Sequence, residues 1–107
     1  MINWDRVREL KDDIGADEIG DVVELFLEEV EEVIDRLKQP DRPRELESDM
    51  HFLKGSALNL GFETLGTMCS DAEKSAAKGS DADVPVAAIL DLFEASKVAF
   101  LTGLNRA

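Results

Sequence analysis

Residues 46–61 read LESDMHFLKGSALNLG, and apolar side chains recur along them every three or four positions. That spacing is typical of the buried face of an α-helix. Gly61 follows the last apolar position, and glycine is common at the left-handed end of a helix. With Pro40 ending the preceding helix and Pro43 opening this one, we expect a helix over about 43–60. Its apolar face consists of Leu46, Met50, Leu53, Ala57 and Leu60.

The rest of the chain also follows helical periodicity, and no segment has a convincing strand pattern. A short helix near the N-terminus carries Trp4, Val7 and Leu10, and Asn3 is its expected N-cap. Three more long helices are expected over about 16–38, 62–78 and 85–105.

Each long helix carries an apolar stripe that a neighbouring helix must cover. In the second helix the stripe consists of Ile19, Val22, Val23, Phe26, Val30, Val33, Ile34 and Leu37. In the last helix the inward residues are Val86, Leu90, Phe93, Phe100 and Leu104. Four long helices with short connections predict an all-α fold, an antiparallel four-helix bundle with the short N-terminal helix packed across it.

Composition and charge restrict the class of protein. The chain has 107 residues, of which 44% are hydrophobic and 34% charged, so we expect a single domain over 1–107. Its formal net charge of -12 would repel nucleic acids and anionic membrane surfaces, and we expect neither as a partner. The chain has no secretory apolar core near its start and no apolar run of roughly 20 residues, which favours a cytoplasmic protein.

His51 lies on the third helix, on the side away from its apolar face. At about 100° per residue, the apolar face is centred about 140° from His51, so this side chain should be exposed. A mid-helix glycine costs about 1 kcal/mol relative to alanine, so a glycine on the outer face needs an explanation. Gly55 would be explained if the missing side chain leaves space for another protein's backbone to approach His51. The neighbours within about 60° of His51 are Glu47, Ser48, Lys54, Gly55 and Leu58.

The residue types in this cluster suit phosphoryl transfer. Neutral imidazole is a good nitrogen nucleophile near neutral pH. Phosphoryl transfer requires mainly in-line positioning and stabilisation of charge, and Lys54 lies one turn from His51. The chain has no glycine-rich phosphate loop and no other nucleotide motif, so the phosphoryl group would have to come from another protein.

The run HFLKGSA at residues 51–57, followed by Leu60 and Gly61, resembles the H-x-L-K-G-S-S/A-x-x-L-G signature of histidine phosphotransfer (HPt) domains. The stretches INWDRVREL and VVELFLEEV resemble the first two helices of that family, so the resemblance covers essentially the whole chain. Ala57 replaces a serine that is often found at its position, which is a mild departure.

The resemblance implies a role for each residue of the motif. His51 would be the phosphoacceptor, Lys54 the phosphate-side cation, and Gly55 the clearance for a receiver domain. Leu53 and Gly61 would be structural. The partners would be receiver domains of a hybrid histidine kinase, a response regulator or both, and this chain would be a monomeric carrier without a cofactor. Partner specificity would depend on the rim residues Glu47, Ser48, Phe52 and Leu58.

Three other interpretations remain open. The chain could be a silent bundle that docks receivers without carrying phosphate, although the combination of His51, Lys54 and Gly55 argues against this. It could be the dimeric phosphoacceptor part of a histidine kinase, but 107 residues leave no room for an ATP-binding domain. The phosphoacceptor domain of a chemotaxis-type kinase would share the bundle but should continue into further domains.

Metal and thiol chemistry are disfavoured. His51 and Cys69 are the chain's one histidine and one cysteine, and they lie on different helix faces. They do not supply the three or four converging ligands that a zinc site needs, so we expect no metal. Cys69 lies on an inward stripe and is expected to be a buried structural thiol.

Overall fold

The computed structural model describes residues 1–39 and 45–104. In those residues the chain forms five α-helices, one short 3-10 turn at Asp81–Asp83 and no strand, which confirms the all-α class. None of these helices is both long and apolar enough to cross a membrane. The helices are α1 Trp4–Ile14, α2 Ile19–Leu37, α3 Leu46–Leu60, α4 Glu63–Ala77 and α5 Val86–Leu104.

Several helix ends differ from their predicted positions. Asn3 is the N-cap of α1 as predicted, and its Oδ1 accepts a hydrogen bond from the backbone N–H of Arg6 at 3.2 Å. The predicted start of α2 at residue 16 is wrong, because residues 16–18 form a turn after Gly15 and the helix begins at Ile19. The predicted helix ends at Pro40, Pro43 and Asn105 fall on residues outside the described ones. The predicted early start of α3 is wrong, because Glu45 precedes the helix and α3 begins at Leu46.

The predicted apolar face of α3 is confirmed, since all five of its residues are buried. In α2 and α5 the buried faces are rotated slightly from the predicted ones. Leu27 is buried in α2, whereas Val22 and Phe26 are only half-buried. In α5, Ile89 is fully buried and Leu90 is half-buried. Apolar residues outnumber the positions that face the core in both helices, so hydrophobicity alone does not select between adjacent residues.

The N-terminal segment is joined to the turn between α3 and α4. The backbone N–H of Asn3 donates to the carbonyl oxygen of Gly61 at 2.7 Å, and Ile2 forms a single antiparallel bridge with Phe62. Trp4 stacks on Phe100 of α5 with a centroid distance of 6.3 Å. These contacts connect α1 to both the α3–α4 turn and the end of α5.

Gly61 is constrained by its backbone conformation and by its neighbours. Its φ is 83°, in the left-handed region that side chains with a Cβ rarely adopt. A Cβ at this position would also lie 2.8 Å from the backbone oxygen of Asn3. Gly79 has a similar φ of 79° but has open space around it, with no heavy atom within 4 Å of a Cβ placed there.

We therefore predict that Gly61→Ala destabilises the protein more than Gly79→Ala does. Gly79→Ala should cost about 1 kcal/mol through backbone strain alone, and Gly61→Ala about 2 kcal/mol or more because the N-terminal segment must also shift. Urea unfolding followed by far-ultraviolet circular dichroism measures both losses. Equal losses for the two variants would show that the contact between Gly61 and Asn3 does not contribute.

Candidate functional site

The site is built on the hairpin of α3 and α4. α3 packs more extensively on α4 than on any other helix. The backbone N–H of Phe62 donates to the oxygen of Ala57 at 2.7 Å, and that of Gly61 donates to the oxygen of Leu58 at 3.2 Å. This pair of hydrogen bonds is the Schellman arrangement, and it satisfies carbonyl groups at the end of α3 while the chain reverses direction. α4 then begins at Glu63 and runs back along α3.

This reversal places Glu73 of α4 beside two predicted site residues of α3. Nδ1 of His51 lies 2.9 Å from Oε2 of Glu73, and Nζ of Lys54 lies 2.6 Å from Oε1 of the same carboxylate. The side chain of His51 is 70% exposed, as the helix periodicity predicted. The side chain of Glu73 is 22% exposed. One largely covered carboxylate therefore holds the imidazole and the ammonium together.

The electrostatics of the cluster determine which nitrogen of His51 is free. The hydrogen bond from Lys54 lowers the pKa of Glu73 below its ordinary value of 4.5, burial opposes this effect, and the hydrogen bond from His51 lowers the pKa further. Glu73 is therefore an ionised acceptor at neutral pH, and Nδ1 of His51 must carry the proton that it shares. In the neutral ring Nε2 then has a lone pair, on a side chain that is largely exposed.

Lys54 lies within the site, where it has a contact with Glu73 that the sequence analysis did not predict. Its ammonium group donates to Glu73, and its side chain is only partly exposed. An ammonium group has three N–H donors, so this contact leaves others for an incoming anion. The predicted role of Lys54 towards a phosphoryl group stays a prediction.

The other predicted residues divide into an exposed set and a buried set. Leu58 is 49% exposed and Phe52 is 37% exposed. A Cβ placed on Gly55 would meet no heavy atom within 4 Å beyond its own helical turn, so packing inside the chain does not require a glycine there. Glu47 and Ser48 are also exposed, whereas Leu53 is buried and Gly61 forms the turn.

Sequence reasoning missed Glu73, although the turn supplied a usable signal. His51 precedes Phe62 by the same number of residues as Glu73 follows it. In a tight helical hairpin, positions equidistant from the turn lie side by side, so Glu73 was the carboxylate to expect opposite His51. Helical spacing relates the residues of α3 only to one another, so a contact with α4 does not follow from it.

A second missed contact joins α3 to α2. Nη2 of Arg36 lies 3.0 Å from Oδ1 of Asp49, whose side chain is nearly covered. Asp49 is two residues before His51, so this pair ties the start of α3 to α2. An almost buried carboxylate requires such a partner, because removing it from water is otherwise costly.

Among the described residues, no group of three or more histidine, cysteine, aspartate or glutamate side chains is placed to hold a metal ion. Cys69 is buried, and burial raises the pKa of its thiol to about 12. The reactive form of cysteine is the thiolate, and the raised pKa keeps Cys69 as the thiol. This agrees with the predicted buried structural thiol.

Comparison with known families agrees with this geometry. The family model described as Hpt domain matches residues 21–99, a range that includes His51, Lys54, Gly55 and Glu73. The chain has no significant match among curated proteins or among solved structures. The family match spans well over half of the chain and contains the whole exposed histidine site. This chain therefore belongs to the Hpt domain family.

Proposed function

We propose that His51 accepts a phosphoryl group from the aspartyl phosphate of one receiver domain and passes it to an aspartate of another. Hpt domains act in histidine phosphotransfer within phosphorelays, and receiver domains are their partners. The observation that carries the proposal for this residue is the hydrogen bond between Nδ1 of His51 and Glu73. It leaves the reactive nitrogen, Nε2, on an exposed side chain.

The proposed transfer uses Nε2 as the nucleophile. Its lone pair attacks the phosphorus atom in line with the bond to the aspartyl oxygen, an N–P bond forms, and that P–O bond breaks to restore the donor carboxylate. The proton on Nδ1 stays on the ring, which becomes cationic. Glu73 stabilises this positive charge. In the second transfer the acceptor carboxylate attacks phosphorus, and the neutral imidazole of His51 is the leaving group.

Lys54 contributes in two ways to this proposal. Its ammonium group keeps Glu73 ionised, because the contact lowers the pKa of that carboxyl. It also lies one helical turn from His51, within the region that the phosphoryl oxygens enter. A cation at that place offsets the negative charge of the transferred group.

The same proposal covers the organisation of the whole protein. We infer one domain over 1–107, with α2 to α5 as an antiparallel bundle and α1 across it. The ion pair between Lys97 of α5 and Glu31 of α2, together with the α3–α4 hairpin, supports this arrangement. The protein would be a monomeric cytoplasmic carrier with no ATP site of its own and no cofactor. Its partners would be receivers of a hybrid kinase, a response regulator or both, rather than nucleic acid or membrane.

The first prediction concerns the phosphoacceptor. Incubation with a phosphorylated receiver domain should label the protein with acid-labile phosphate, and His51→Gln should abolish the label. Because the side chain of His51 is largely exposed, the variant should keep the circular dichroism spectrum of the wild type. Label that survives in a folded His51→Gln variant would contradict the assignment. A wild-type protein that no receiver labels would favour the silent docking bundle.

The second prediction concerns Glu73. Glu73→Gln replaces the ionised acceptor with a neutral amide, which can pair with either tautomer of His51, so Nδ1 is no longer fixed as the protonated nitrogen and the cationic ring loses its counter-charge. The transfer rate constant should fall about tenfold, as expected for the loss of a charge-assisted hydrogen bond. Asp71→Asn is the matched control, because Asp71 is an exposed carboxylate on the same helix. Equal rates for wild type and Glu73→Gln would remove Glu73 from the mechanism.

The third prediction concerns Gly55. Gly55→Gln should raise the thermal stability slightly, because glutamine is a better helix former and has open space around it. The same variant should weaken receiver binding, measured by titration calorimetry, because the new side chain occupies the clearance beside His51. Normal binding with a loss of stability would mean that Gly55 has only a structural role.

A further inference from the structure

The exposed face of α3 around His51 has an apolar centre. Leu58 and Phe52 expose about half and a third of their surfaces, and Gly55 leaves open space between them along the helix. Gly66 of α4 lies directly under Leu58, since a Cβ there would come within 2.6 Å of its Cδ2. A small residue on α4 therefore makes room for the Leu58 side chain at the surface. An apolar patch of this kind is typical of the centre of a docking surface.

The border of this patch is acidic on the side of α2. A groove between α2 and α3 is lined by Glu29 and Glu32 of α2 and by Phe52 of α3. Its one lysine or arginine is Arg36, which is paired with Asp49. Neither Glu29 nor Glu32 forms an ion pair with another described residue. The negative charge of this border is therefore not compensated within the part of the chain that the structure describes.

The border on the side of α4 has the same character. A second groove beside His51 is lined by Glu47 and Glu73, among other residues. The ammonium group of Lys54 neutralises the charge of Glu73, with its Nζ 2.6 Å from Oε1 of that carboxylate. Glu47 has no ion pair with a described residue. The apolar centre thus lies between two borders that carry uncompensated carboxylates.

Charge complementarity restricts what can cover this face. A second copy of the chain, with a net charge of -12, would bring further carboxylates against the borders. Like charges placed together at an interface cost free energy and suppress that pairing. Lysine or arginine side chains from a partner would instead pair with Glu29, Glu32 and Glu47. Such pairs at a rim act mainly on the rate of association and on the choice of partner.

We propose that this face docks a receiver domain whose contact surface has an apolar centre flanked by lysine or arginine side chains, and that the acidic borders select such receivers. This inference rests on the proposed function, because it names the kind of receiver that reaches His51. On this inference Glu29 and Glu32 help to select the partner, although neither lies on the helix that carries the histidine.

The test measures phosphoryl transfer to His51 from purified receiver domains of the same organism. Each receiver is first phosphorylated with acetyl phosphate. The receivers are then compared by the charge of the surface around their phosphorylated aspartate. For the wild type, kcat/KM should be highest with receivers that have cationic surroundings. It should fall about tenfold as the salt concentration rises from about 0.05 M to about 0.5 M. The double variant Glu29→Gln with Glu32→Gln should lower kcat/KM several-fold at low salt and flatten its dependence on salt.

The matched control is Asp91→Asn with Glu94→Gln on α5. This pair has the same spacing, is likewise exposed and causes the same change in net charge, but neither of its residues lines the α2–α3 groove. The control should stay within about twofold of the wild type. The reversal Glu29→Lys with Glu32→Lys should shift the preference towards receivers with acidic surroundings, a readout that a merely structural role would not produce.

Two outcomes would overturn the inference while the proposed function stands. One is equal slowing by the α2 pair and the α5 pair, which would mean that net charge alone matters. The other is transfer to His51 that does not depend on salt or on the charge of the receiver. Failure of every receiver to label His51 would instead contradict the proposed function itself, and with it the inference that the acidic borders select the receivers that exchange a phosphoryl group with His51.

Discussion

The reversal of the chain at Gly61 is the constraint on which the histidine site depends. Its left-handed backbone ends α3, and the two hydrogen bonds from Gly61 and Phe62 let α4 begin without an intervening loop. The N-terminal segment fixes this turn from outside, through the contact between Asn3 and Gly61. A longer or looser connection would leave the register of α3 against α4 undefined. Because the turn is tight, His51 and Glu73 lie within hydrogen-bonding distance of each other although they are far apart in sequence.

The Glu73 carboxylate is the chemical consequence of that register. It accepts from Lys54 on one oxygen and contacts His51 through the other, so neither hydrogen bond displaces the other. The ammonium group compensates the charge of a largely covered carboxylate, which would otherwise be costly to bury. The imidazole contributes its Nδ1 and remains mostly exposed. The arrangement therefore orients the imidazole without enclosing it, which suits the proposed transfer between proteins.

The features that the sequence analysis predicted correctly depend on one helix, and the features that it missed depend on the contact between two helices. The spacing of Met50 and Leu53 predicted the buried face of α3, and hence the exposure of His51, because both follow from the helical repeat. Glu73 was missed, and its contact with Lys54 was not predicted, because that contact requires the register between α3 and α4. The burial of Leu27 likewise depends on how α2 faces its neighbours.

The central claim is that Nε2 of His51 is the atom that carries the phosphoryl group. Phosphorus and nitrogen NMR of the protein, phosphorylated by a receiver and labelled with ¹⁵N at histidine, identifies the bonded nitrogen directly. Because this chain has one histidine, no other residue contributes to the phosphohistidine signal. The account predicts phosphate on Nε2 and a proton on Nδ1, hydrogen-bonded to Glu73. Phosphate on Nδ1, or a phosphorylated protein with an unmodified imidazole, would contradict it.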